Sequence, residues 1–206
     1  NPRRISDEVV PRCTKRRTNQ RTRYPKLKQK WPMNQELHAL LLRQLETSWA
    51  LTCYHLESLT TEECLWRPAP VGLHVQQTTS GQWGADWPEH EGYDLGPSSI
   101  AWLTWHLGFW WSMVIDHSFG SATLTRAQVE WPGTADGVRQ WVKRLQDTWR
   151  RALETLSAAD LASSQRTRWP LQDKPFGDVI AWANLELMKS AAEIGYVRFL
   201  YAARGR

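Results

Sequence analysis

Cysteine is sparse in this chain: three residues in 206, Cys13, Cys53 and Cys64, odd in number and without metal-type spacing. Such usage excludes a disulfide scaffold and points to a reducing compartment, the cytoplasm. No apolar run approaches the roughly 18 residues of a membrane-spanning helix. The opening residues do not read as a secretory segment either, so no membrane partner is expected. Internal repeats are missing, and no stretch alternates polar and apolar residues long enough to make a useful strand. What the chain does have is tryptophan: 14 residues, within a hydrophobic content of 41%. That content excludes wholesale disorder and allows a sizeable core. At this length, one domain plus an appendage is the economical reading.

Acidic residues are nearly missing from the first thirty positions, where eleven Lys and Arg face only Asp7 and Glu8, a balance of +9. The remaining residues hold fifteen basic and nineteen acidic side chains, a balance of −4, so the basic character belongs to the opening segment. "PRCTKRRTNQRTRYPKLKQK" (11–30) has little periodicity and few large apolar residues, which reads as disorder. The chain is therefore divided into a basic extension, 1–30, and a folded domain, 31–206. The extension is either a solvated segment or a weak tether to nucleic acid or another anionic surface.

Four long helices follow from the 3.6-residue period and its caps. The first runs from about Asn34 to Ser58, with Leu37, Leu41, Leu45, Trp49, Thr52 and Leu56 along one stripe. The second opens at Ser98 or Ser99 and ends near Gly120. The third starts after "PGTADG" and carries Val138, Trp141, Val142, Leu145, Trp149, Ala152 and Leu156. The fourth begins at Asp178 as N-cap and continues to about Ala203. Four amphipathic helices of this length predict an all-α fold, a four-helix bundle. Residues 67–97, between helices one and two, far exceed an ordinary turn, and loops of that length are lids or disordered. Trp66, Trp83, Trp87 and Tyr93 argue that this one packs onto the bundle as a lid.

The second helix, the most apolar of the four, contains a histidine that packing does not require. At 100° per residue, His106 falls within the apolar arc of Ile100, Leu103, Leu107, Trp110, Met113 and Val114. His117 falls on the same face near the helix end. On the fourth helix Val179, Trp182, Ile194, Val197, Leu200 and Tyr201 define the apolar stripe, and Glu186, Ser190 and Glu193 lie in its middle. A buried carboxylate needs a partner, since leaving it unpaired costs several kcal/mol. At 1.5 Å per residue, His106 sits roughly 10 Å into its helix. A parallel fourth helix brings Glu186 level with it; an antiparallel one brings Ser190 and Glu193.

Three uses of this polar strip stay open. One is a structural His–Glu hydrogen bond in the core. Another is a divalent metal held by imidazole and carboxylate from facing helices. The third is metal-free acid–base chemistry, with a carboxylate raised by burial. His55 on the first helix shares the phase of Leu37 and is a further pocket candidate, or else a boundary residue. Neither Cys53 nor Cys64 has an evident base that would make it a nucleophile.

"LTTEECLWRP" (59–68) after a long first helix, "SIAWLTWHLGFW" (99–110) and "AAEIGYVRFLY" (191–201) resemble the DinB/YfiT-like superfamily, over about Trp31 to Arg204. That resemblance implies a bundle of up-down-down-up topology and a metal site of three histidines, one on the second helix and an H-x-x-x-H pair on the last. His106 matches the first of these positions. The other two fall on Glu186 and Ser190, so a carboxylate and a poor ligand stand where the pattern has imidazoles. Relatives include thiol-dependent transferases and the metal-binding domain of a mycothiol-dependent maleylpyruvate isomerase. The resemblance thus implies a transferase or isomerase using zinc or nickel and a low-molecular-weight thiol. The non-catalytic alternative is a small-ligand-binding or interaction bundle, with a homodimer among the expected states.

Overall fold

A computed structural model describes residues 33–90 and 92–205, and the basic extension 1–30, with its tether reading, lies outside them. In chain order the elements are α1 (Met33–Leu56), α2 (Thr61–Leu65), β1 (Val75–Gln77), β2 (Trp83–Ala85), α3 (Ile100–Phe119), α4 (Ala135–Glu154), α5 (Ala158–Ala162) and α6 (Phe176–Ala203). The four long ones are those the periodicity marks. The others escaped it because each is shorter than two helical turns or consists of three strand residues.

Local chemistry sets the ends. α1 stops before Ser58, which takes a left-handed φ of 56°. The Ser99 hydroxyl accepts the Trp102 N–H at 3.3 Å and opens α3. α4 begins earlier than expected, inside "PGTADG", because Thr134 accepts the Gly137 N–H at 3.1 Å and acts as the N-cap. The expected N-cap of α6 is also displaced. Pro175 occupies that position with φ −54° and ψ 143°, so Asp178 lies in the first turn, where the helix dipole favours an acid.

α6 packs against α1 and α3, and α4 packs against α3 and α1. α3 is buried almost all round, at fourteen of its twenty residues, rather than along half its circumference. A helix covered on every side has no solvent face to keep polar, hence its tryptophans. Two glycines permit the closest approaches. A Cβ on Gly108 would stand 1.9 Å from the Trp141 ring, and one on Gly195 would stand 2.4 Å from the His55 ring. Arg198 ties α6 to the end of α1 and to α2, donating to Glu63 Oε1 at 2.8 Å and to the carbonyls of His55 and Glu57.

Residues 67–97 hold the antiparallel β1–β2 hairpin, paired from Val75 with Ala85 to Gln77 with Trp83. Trp83 stands edge-on to Trp131 at 5.0 Å and Trp66 edge-on to Tyr201 at 5.6 Å. Indole N–H groups of α3 fasten the surrounding loops: Trp102 donates to the Asp86 carbonyl and Trp105 to the Val129 carbonyl, both at 2.8 Å. Tyr93 departs from the expected packing and is fully exposed. It occupies a single 3-10 turn, Tyr93–Leu95, none of whose residues is fully buried.

Candidate functional site

A cavity of about 1000 Å³ lies between α3, α6 and the loop that precedes α3. His106, Glu186 and Glu193 all line it, together with Lys189. The strip on α6 and the histidine on α3 therefore do meet.

The His106 ring lies flat on Trp102, with centroids 4.9 Å apart and planes 7° apart. Burial holds its imidazole down at about 4; the Lys189 ammonium adds to that depression and Glu186 opposes it. The ring is neutral at pH 7. It makes no hydrogen bond to Glu186, whose Oε2 instead forms an ion pair with Lys189 Nζ at 2.7 Å. The structural His–Glu hydrogen bond read from the sequence is thus replaced by a Glu–Lys pair one turn along the same helix. Glu193 has no ion-pair partner among the described residues. Desolvation raises its carboxyl above the usual range; Lys189 opposes the rise and Glu186 adds to it.

Ser190 is 1% exposed, does not line the cavity, and its hydroxyl has no hydrogen-bond partner among the described residues. Nearby on α6, Asn184 turns toward α1, where its Nδ2 donates to the Leu41 carbonyl at 2.9 Å. The polar strip is therefore split, with Asn184 and Ser190 in the core and Glu186 and Glu193 at the cavity.

Among the described residues no three His, Cys, Asp or Glu side chains are grouped so that they could hold a metal ion. The donors at the three family positions are one imidazole, one carboxylate already neutralised by an ammonium, and a buried hydroxyl. Catalytic zinc sites use three protein ligands, and this set does not supply them. His55 and His117 do not line the cavity either. His55 packs against Gly195, and His117 Nε2 lies 3.3 Å from the Leu124 carbonyl. Cys64 is fully buried with its thiol pushed up to about 12, chiefly by that burial, and is no nucleophile.

Several lining residues had no voice in the sequence. Lys189 was readable in principle from its i,i+3 spacing to Glu186. Trp169 was not, because it comes from the irregular segment before α6 and reaches the cavity only through its edge-on contacts with Phe109 and Trp182. His74, also without a positional argument, is 5% exposed, and neither ring nitrogen has a hydrogen-bond partner among the described residues.

Comparison with known proteins gives one positive result. A family model described as the DinB superfamily matches residues 44–194, which takes in the second half of α1, all of α3 and α4, and α6 through Ile194. No curated protein and no solved structure matches the chain. The matched segment includes His106, Glu186, Lys189, Ser190 and Glu193, and the chain belongs to the DinB superfamily.

Proposed function

We propose that this chain is a DinB-like domain that binds a small organic molecule in the α3–α6 cavity, with its four long helices arranged as an up-down-down-up bundle. The observation that carries the reading is the cavity itself. A volume of about 1000 Å³ is enough for a drug-sized ligand, and its walls are largely apolar, with seven Trp, Phe and Tyr side chains and a few ionisable groups from the loop, α3 and α6. Ligand sites have that composition: apolar walls for affinity and a few converging polar groups for orientation. The neutral His106 imidazole supplies one such group, able to donate or accept but carrying no charge at pH 7. The metal- and thiol-dependent transferase or isomerase implied by the family rests on three donors that this chain does not assemble, so binding of a small molecule is the better-supported reading.

The test uses a neutral aromatic probe, 2-naphthalenemethanol, titrated into the purified full chain by calorimetry. One saturable site per chain is expected. Ala192 lines the cavity yet is exposed, so Ala192→Trp fills the space at little cost in stability, about 0.5 kcal/mol or less. That variant is expected to lose the site. Binding that survives Ala192→Trp unchanged places the probe elsewhere and refutes the reading.

A further inference from the structure

The charges around the cavity do not balance. Three carboxylates line it, Glu89, Glu186 and Glu193, against one ammonium, Lys189. Lys189 is spent on Glu186, at 2.7 Å. Neither lining histidine compensates the others: His106 is neutral at pH 7, and His90 lies 3.3 Å from the exposed Asp94 carboxylate. Glu89 and Glu193 have no ion-pair partner among the described residues, so the excess charge among the lining side chains is negative; one further cation close by, Arg126, is already held over the Trp87 ring at 4.3 Å.

Much of the rest of the wall is aromatic, beside aliphatic residues such as Leu73, Leu103 and Val197. Trp102, Phe109, Trp169, Trp182, Trp87 and Tyr196 all contribute to it, drawn from α3, α6 and both flanking loops. The rings are held by one another, Phe109 and Trp182 each edge-on to Trp169 at 6.1 and 5.6 Å, and Trp87 edge-on to Phe109 at 5.5 Å. Such mutual packing costs a ligand little side-chain ordering. Aromatic faces attract cations through their quadrupole, most strongly where water is excluded. An anion would meet the opposite situation: ring faces, two unpaired carboxylates and an ammonium already engaged.

We infer that the ligand of this cavity is an organic cation, an alkylated ammonium carried on an apolar body, with the ammonium toward Glu193 and the body among the tryptophans. The inference rests on the reading of the cavity as a ligand site and adds the ligand's charge. An alkylated ammonium suits the site because it is weakly hydrated and is matched by ring faces and a carboxylate rather than by a full set of hydrogen-bond acceptors. Glu193 is exposed on α6 and only partly desolvated beside the cavity, yet that desolvation still raises its carboxyl, and a bound cation would relieve it.

The experiment compares three probes of one shape on the full chain at pH 7.5: trimethyl(2-naphthylmethyl)ammonium, 2-naphthalenemethanol and 2-naphthoate. The cation is expected to bind roughly tenfold more tightly than the alcohol, with the anion weakest. Glu193→Gln is expected to bring the cation-to-alcohol ratio toward one. Lys189→Met, which frees Glu186, is expected to widen it, an increase that loss of structure cannot produce. If cation and alcohol bind equally, or the anion binds best, and Ala192→Trp still abolishes binding, the cavity is a ligand site and the charge inference is overturned. If none of the three binds, or Ala192→Trp changes nothing, the cavity reading falls and this inference with it.

Discussion

His106 is kept uncharged by its surroundings, and that has a cost on acidification. The imidazolium is disfavoured in the folded protein, first by burial and then by Lys189, so its folded value of about 4 lies below the ordinary 6.5. The unfolded chain therefore takes up the proton first. The contribution of neutral His106 is fully present above pH 6.5 and is lost as pH falls from there toward 4. The loss amounts to something on the order of 2–3 kcal/mol. His106→Phe preserves a ring on Trp102 and removes the titration. Its unfolding free energy, followed by urea denaturation from pH 7 to pH 4, should fall by less than that of the parent. Parallel pH curves would show that some other group accounts for the loss. The tryptophans divide in a related way. Trp102 and Trp105 each spend an indole N–H on a loop carbonyl, whereas those of Trp110, Trp111 and Trp149 are buried without a partner among the described residues. The first group positions loops; the second contributes area to the core.

Between elements, the decisive residues are the small ones. α3 and α4 approach so closely that Gly108 faces the Trp141 ring with no room for a methyl group. Gly108→Ala should cost about 1–3 kcal/mol, the usual penalty for overpacking a core, although alanine is the better helix former. Adding Trp141→Ala should return part of that loss, because the clash and the indole leave together. A double-mutant cycle in thermal or urea unfolding reads the coupling, and strict additivity would show that the two residues do not press on each other. The approach of α1 and α6 follows the same rule at Gly195 and His55. Helix periodicity marks which face is apolar, but it is silent on how near two faces come. That distance is set by residues too small to register in a hydrophobic pattern.

At the scale of the molecule, no helix among the described residues is long and apolar enough to cross a membrane. Nor do the described residues group three metal-type donors. A fold that does not depend on a metal should keep its melting temperature through chelation, because only a ligand bound to the native state adds stability. Protein purified without added metal is expected to carry well under one equivalent of zinc or nickel by elemental analysis, and treatment with EDTA should leave Tm unchanged. A full equivalent that survives dialysis, or a fall of several degrees on chelation, would restore the metal site that the family pattern implies.

The sequence by itself determined the long helices, a serine cap for α3 at Ser98 or Ser99, the superfamily, and the fact that His106 on α3 and the acids of α6 had to be accounted for together. Those are properties of period, local hydrogen bonding and the cost of burying charge, all carried by neighbours along the chain. Tertiary structure alone decided which polar residues share a cavity. Glu186 and Ser190 stand one helical turn apart, yet Glu186 lines the cavity and pairs with Lys189, while Ser190 is sealed in the core. A helical wheel cannot separate them, because both lie on one broad face that is shared between two packing partners. Trp169 and Trp87 reach the same cavity from irregular segments, where no period exists to be read. The charge and aromatic character of the site therefore emerge only when α3, α6 and the flanking loops are brought together in space.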